Sequence, residues 1–312
     1  MDMTRFLLQR ALVCLAPLLL WAVAAGAQPP EDPRMDDERI AQFRRVIEAR
    51  VVYTVPGMDA VDVRRDLAYK TVDDAPLGMD VYLPAGLAPD ERRGAVLFVH
   101  GGPAPPSGLP AGIPKPKSWG LFESYGELVA ASGLVGVTFN HRYASLAALG
   151  ESAADVAAAI DYVRSHAGEL HVDADRLALW VFSGAGPHLS VVLRERPASV
   201  RCLVSFYSVL DFAAFAAMGM GEAPPEVVER YSPRAHLHDA APPFLLARAG
   251  RDHPATNQAI DAFLAAALEH GVAVDFLSHP QGRHGFDVLD DDARSRAIVR
   301  HALEFLTVSL RP

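Results

Sequence analysis

The sequence predicts an α/β fold with a mainly parallel, doubly covered sheet and an antiparallel hairpin at its N-terminal edge. Two patterns carry this. From about residue 95 onward, short apolar runs alternate with helical periodicities, the pattern of right-handed βαβ crossovers. Before that point, two strand-like runs at 61–69 and 77–83 are separated by a turn rich in Asp, Pro and Gly, with no helix between them, which implies a hairpin. The composition allows this: among 312 residues, half are hydrophobic and about a fifth charged, enough for a large core.

The first residues follow a different logic. Arg5 and Arg10 precede an unbroken apolar run over 11–26, and Ala25-Gly26-Ala27 offers a small-x-small site before Gln28, Pro29 and Pro30. This reads as a secretory signal, residues 1–27, and predicts an exported protein, periplasmic or secreted. The run is short for a membrane span. Cleavage would remove Asp2, Arg5 and Arg10 and move the net charge from −9 to −10. An acidic protein is a poor candidate for electrostatic binding to nucleic acid, and no membrane insertion is expected after cleavage. Only Cys202 would remain, so the fold depends on its core and not on disulfides.

Residues 28–60 read as a lead-in with a short helix over 37–50, where Ile40, Phe43, Val46 and Ile47 have helical spacing. The domain proper is expected over 61–312. Strands are expected at 95–99, 134–139, 177–182, 200–207, 243–249 and 272–277. Helices are expected at 121–131, 151–166, 187–193, 257–270 and 293–310. Residues 103–118 are rich in Pro and Gly, and 211–240 form a small cap-like insertion.

Four strand ends carry candidate chemistry. After 177–182 comes Ser183-Gly184-Ala185-Gly186, then Pro187 at a helix start. A nucleophilic serine needs such a tight strand-to-helix turn, with small neighbours, to expose its hydroxyl. Val181 and Ala185 depart from the usual G-x-S-x-G, and valine is the larger departure because its branched side chain crowds the turn. After 95–99 comes His100-Gly101-Gly102, whose glycines let backbone N–H groups face a ligand. His100 itself reads as a structural residue beneath that loop. Asp252 follows 243–249, and His284 follows 272–277 between two glycines. Taken singly, each is more often ordinary structure: a turn residue or helix cap for Ser183 and Asp252, a Gly-rich turn for 101–102, a surface histidine for His284.

Together they occur in the order glycines, serine, aspartate, histidine, which is that of α/β-hydrolases. The chain resembles that superfamily, nearest the carboxylesterase and dienelactone-hydrolase-like branch with an HGG oxyanion loop. The supporting stretches are MDVYLP at 79–84, LFVHGGP at 97–103, FNHRY at 139–143, ADVAAAIDYVRSHA at 154–167, LWVFSGAG at 179–186 and SHPQGRHGFD at 278–287. The resemblance implies Ser183 as nucleophile, His284 as general base, Asp252 as its orienting acid, and the N–H groups of Gly102 and Gly184 as the oxyanion hole. Where related esterases carry a third glycine, this chain has Pro103, which has no N–H to donate. The implied activity is hydrolysis of small or medium carboxylic esters through an acyl-enzyme. An exported peptidase and a non-catalytic binding protein of the same fold stay open as alternatives. The chemistry needs no cofactor and no metal; His236 and His238 form a possible metal pair without further ligands. Phe212 and Phe215, in the insertion, are expected to line the substrate pocket or to pack on the core.

Overall fold

The computed structural model describes residues 37–103 and 109–312; residues 1–27, where a secretory signal is expected, lie outside the described residues. A helix α1 (Asp37–Glu48) precedes eight strands. These are β1 (Asp62–Val72), β2 (Ala75–Leu83), β3 (Arg93–Val99), β4 (Val135–Phe139), β5 (Val172–Phe182), β6 (Val200–Phe206), β7 (Phe244–Ala249) and β8 (Val274–His279). They form one sheet in the order β1-β2-β4-β3-β5-β6-β7-β8. β1 pairs antiparallel with β2, and β2 antiparallel with β4. All later pairings are parallel. The expected architecture is therefore present.

Two differences have local causes. The hairpin strands run longer than expected because they are joined by Asp73-Asp74 alone, at φ 48° and 62°. A two-residue turn of this hand needs positive φ at both positions, which Asp tolerates better than most residues. β5 begins at Val172 instead of 177; Arg93 in β3 pairs with Val172, and a bulge separates that pair from Ala95–Leu177.

Helices cover both faces, which explains why β3 and β5–β7 read as continuous apolar runs. On one face lie α3 (Leu149–Ser165), α4 (Leu189–Glu195) and α7 (Pro254–Glu269), contributing Val163, Leu193 and Phe263 to the core. On the other lie α2 (Gly120–Ala131) and α9 (Ala293–Ser309), contributing Tyr125, Leu128, Ile298 and Leu306.

Inside the Pro-rich segment, a helical turn at Pro116–Ser118 buries Lys117. Its ammonium lies 2.8 Å from both carboxylate oxygens of buried Asp80 and 2.9 Å from Asp66. A buried charge must be paired in this way.

The insertion folds into α5 (Ala213–Ala217), α6 (Pro225–Tyr231) and a turn at Pro233–His236. It packs on the start of α7 through a third cluster with Val209, Phe212, Phe215, Met218, Ala255 and Ala259. Phe212 and Phe215 pack edge to face at 5.2 Å within it, and both are fully buried. They hold the insertion to the domain and do not line the cavity beside Ser183, which corrects the pocket expectation.

Candidate active site

Because β3 and β5–β8 run parallel, their carboxyl ends share one edge of the sheet. The order also switches there: β4 lies to one side of β3 and β5 to the other. Ligands bind in the crevice such a switch opens. His100-Gly101-Gly102 leaves β3 at this edge, Ser183 leaves β5, Asp252 lies three residues past β7, and His284 lies five past β8.

Ser183 sits between Phe182 and a helical turn, Ser183–His188, that leads into α4. Its φ is +55°. A non-glycine residue held there stores strain, and a sharp strand-to-helix turn with the hydroxyl outward is what that strain provides. Val181 does not crowd the turn. It points into the core, paired with Val99 and Ser205 of the neighbouring strands.

The room is made at Gly184. A Cβ there would stand 1.7 Å from the carbonyl oxygen of Gly102 and 3.1 Å from its nitrogen. A side chain on Gly102 would run into the Tyr143 ring at 2.4 Å. The two expected oxyanion residues therefore touch backbone to backbone beside Ser183, an approach open only to glycine. Gly184 lies in the first turn of its helical segment, where an N–H has no intrahelical partner.

Ser183 Oγ lies 2.8 Å from His284 Nε2, and His284 Nδ1 lies 2.7 Å from Asp252 Oδ2. The backbone N–H of His253 donates to the other Asp252 oxygen at 2.7 Å. With the carboxylate ionised, Nδ1 carries the ring proton and Nε2 accepts from the serine hydroxyl. The loops bearing the acid and the base are tied together: Gly250 N donates to His279 O, and Arg251 N to Gly282 O, both at 2.9 Å. Arg283, beside the histidine, is fixed on Asp290 at 2.7 and 2.8 Å. Burial alone would lower the His284 pKa, but the charge and hydrogen bond of Asp252, with Asp287 behind, outweigh it and hold the pKa above the ordinary value.

Asp287 was not legible as a site residue. It is fully buried, accepts from Tyr207 Oη at 2.7 Å and Tyr125 Oη at 2.8 Å, and burial raises its pKa against those two hydroxyls. The Tyr207 ring lies 4.6 Å from the His284 ring. An aspartate three residues past a histidine set between Arg283 and Gly285 gives no sign that tyrosines 80 and 162 positions away will donate to it.

Beneath the glycine loop lie three buried histidines. His100 stacks on His141 at 3.6 Å, and its Nδ1–H donates to Gly101 O at 2.8 Å. His188 Nδ1–H donates to Ala185 O at 2.9 Å. Ser152 Oγ lies 2.8 Å from His141 and 2.7 Å from His188. Burial pushes His100 and His188 down to about 4 and His141 well below its usual range. In the unfolded chain these rings take up protons near pH 6.5. The unfolded state thus binds more protons between those values, and stability falls as pH drops from about 6.5 toward 4. Calorimetric melting should show a progressive fall in Tm from pH 7 to pH 5; a flat Tm would mean the rings are not held neutral.

An apolar cavity of ≈ 110 Å³ opens at Ser183 and His284. α1 supplies Phe43, Val46 and Ile47 to its wall, and the start of α2 supplies Leu121 and Phe122, with Trp119 just before it. Val288 and Leu289 of α8 (Phe286–Leu289) line it as well. The histidines weighed as a metal pair face backbone instead: His236 Nε2 meets Arg230 O at 2.9 Å, and His238 Nε2 meets Leu193 O at 3.1 Å.

The family model BD-FAE matches residues 79–264, more than half of the chain. The chain belongs to the BD-FAE family. This is an esterase-type α/β-hydrolase family, so the chain is a hydrolase. The BD-FAE match contains the glycine loop, Ser183 and Asp252, while α1 and His284 lie outside it. No curated protein sequence matches the chain. Among solved structures, it is similar to a thermophilic esterase from the planctomycete Thermogutta terrifontis in its butyrate-bound form, with 23% identity over 82% of this chain and 98% of that one, at TM-score 0.63. The paraoxon-phosphorylated form of Thermogutta terrifontis esterase 2 gives 22% identity over 82% and 97%, also at 0.63. At that identity the likeness shows the shared fold.

Proposed function

We propose that this BD-FAE member is an exported serine esterase that cleaves small or medium carboxylic esters through an acyl-enzyme. The observation that carries the reading is the continuous chain from Ser183 through His284 to Asp252, at 2.8 and 2.7 Å. As Ser183 Oγ attacks the ester carbonyl carbon, its proton passes to His284 Nε2. Asp252 holds the imidazole in the required tautomer and stabilises the imidazolium. The N–H groups of Gly102 and Gly184 receive the oxyanion. Collapse breaks the bond to the alcohol, which leaves with the proton from His284. Water, deprotonated by the same ring, then releases the acid and frees the serine.

The cavity supports a compact substrate group. An apolar cavity of about 150 Å³ accepts a benzene ring, so the space here suits a few carbon atoms. The similarly folded Thermogutta protein is an esterase seen with butyrate and with propionate, which agrees with that scale. Arg5 and Arg10, the apolar run over 11–26 and Ala25-Gly26-Ala27 support export to the periplasm or outside the cell, with the mature chain starting at Gln28.

The test is turnover by residues 28–312 of p-nitrophenyl esters from acetate to octanoate beside peptide p-nitroanilides, with fluorophosphonate labelling in parallel. Turnover of short esters with labelling is expected. Cleavage of anilides alone would point to a peptidase, and the absence of both turnover and labelling would overturn the serine hydrolase reading.

A further inference from the structure

The segment before the first strand is more than a lead-in. Phe43 and Ile47 of α1 are 96% buried, and Phe43 packs edge to face on Trp119 at 5.7 Å. The end of α1 approaches the start of α2 so closely that a Cβ on Gly120 would stand 2.4 Å from the Glu48 carbonyl oxygen. Just beyond the helix, Val51 N donates to Ser124 Oγ at 2.9 Å, and Val52 N donates to Asp287 O at 2.8 Å. Arg50 pairs with Glu127. The chain around α1 is therefore fixed both to α2 and to the segment that follows His284.

The helix contributes three side chains to the cavity at Ser183, and all three are apolar. Trp119, Phe122, Val288 and Leu289 line the same cavity. These residues present no charge, so the wall can recognise only an apolar group. The helix also lies outside the BD-FAE match, in a part of the chain that the shared catalytic core does not define.

We propose that α1 is the specificity-determining wall of this site: Phe43 and Ile47 close the far side of the cavity and set the longest apolar group that an ester can place there. The idea rests on the esterase reading. The preferred substrate is then an ester carrying a short apolar group, and the limit is steric, because filling a packed wall forces side chains or backbone to move. The shared chemistry is an alkyl chain, on either the acyl or the alcohol side of the scissile bond.

The experiment measures kcat/KM for two series, p-nitrophenyl esters of rising acyl length and acetate esters of rising alcohol length. Wild type is compared with Phe43→Ala, Ile47→Ala and the milder Phe43→Leu. Pocket contacts of one methylene change selectivity by about tenfold or more. In one series, the octyl-to-butyl ratio should rise by at least about tenfold in the alanine variants and by less in Phe43→Leu. The series that responds identifies the side held against α1. Unchanged ratios in both series, with short esters still turned over, would overturn the role of α1 and leave the esterase reading standing. A wild type that neither turns over esters nor labels with fluorophosphonate would instead overturn the esterase reading, and this proposal with it.

Discussion

Ser183→Ala should lower kcat/KM for the best p-nitrophenyl ester by about 10⁵- to 10⁶-fold and abolish fluorophosphonate labelling. The size follows from the loss of the group that the geometry sets against the base. Ser183 Oγ is the atom within 2.8 Å of the basic nitrogen, and without it His284 can only activate water from a site built for attack along the serine. The remaining rate comes from the glycine N–H groups and from binding, the usual remnant when one member of a triad is removed. Folding should be little affected. The backbone keeps its left-handed conformation, alanine removes one oxygen, and the freed His284 nitrogen lies on the cavity, within reach of solvent. A variant that kept more than about 1% of wild-type turnover would remove Ser183 from the mechanism, whatever its position.

The parts of this site that could be read in the sequence are those whose signals are local. A serine between an apolar strand and three small residues, a glycine pair after a buried strand, and an aspartate and a histidine at two later strand ends each leave a short-range trace. Parallel strands then bring their carboxyl ends together without further information. The parts that were not legible depend on contacts across the fold. The spacing of Phe43, Val46 and Ile47 shows a helix with an apolar face, but not that Trp119 and Leu289 will meet that face beside the nucleophile. Asp287 has an unremarkable neighbourhood in sequence and gains its role from Tyr125 and Tyr207. Phe212 and Phe215 show the converse. Aromatics in an irregular insertion are equally suited to a pocket and to a core. The outcome was fixed by α7, whose Ala255 and Ala259 offer a flat apolar surface for the insertion to cover. The Pro-rich segment likewise gave no sign that Lys117 would be drawn inside, because its partners Asp66 and Asp80 lie in the hairpin.

Asp252→Asn separates the electrostatic role of the acid from the architecture around it, and it should lower kcat by about 10⁴-fold near neutral pH. The amide keeps the shape of the carboxylate, and the loops on either side remain joined by the bonds from Gly250 to His279 and from Arg251 to Gly282. What changes is the proton. A carboxylate oxygen 2.7 Å from His284 Nδ1 can only accept, so the ring must place a hydrogen there and leave Nε2 free to take the serine proton. An amide nitrogen in the same place donates to Nδ1 and drives the hydrogen to Nε2, where it blocks that transfer. The pH profile gives an independent reading. His284 is held above its ordinary pKa by the charge of Asp252 against the opposing effect of burial. Removing the charge lowers that pKa, so the residual activity should persist to lower pH, with the acid limb of kcat/KM displaced downward. A merely structural aspartate would give a weakened enzyme with its acid limb unmoved. The combination of a large loss in kcat and a downward displacement is expected only if Asp252 acts on the protons of His284.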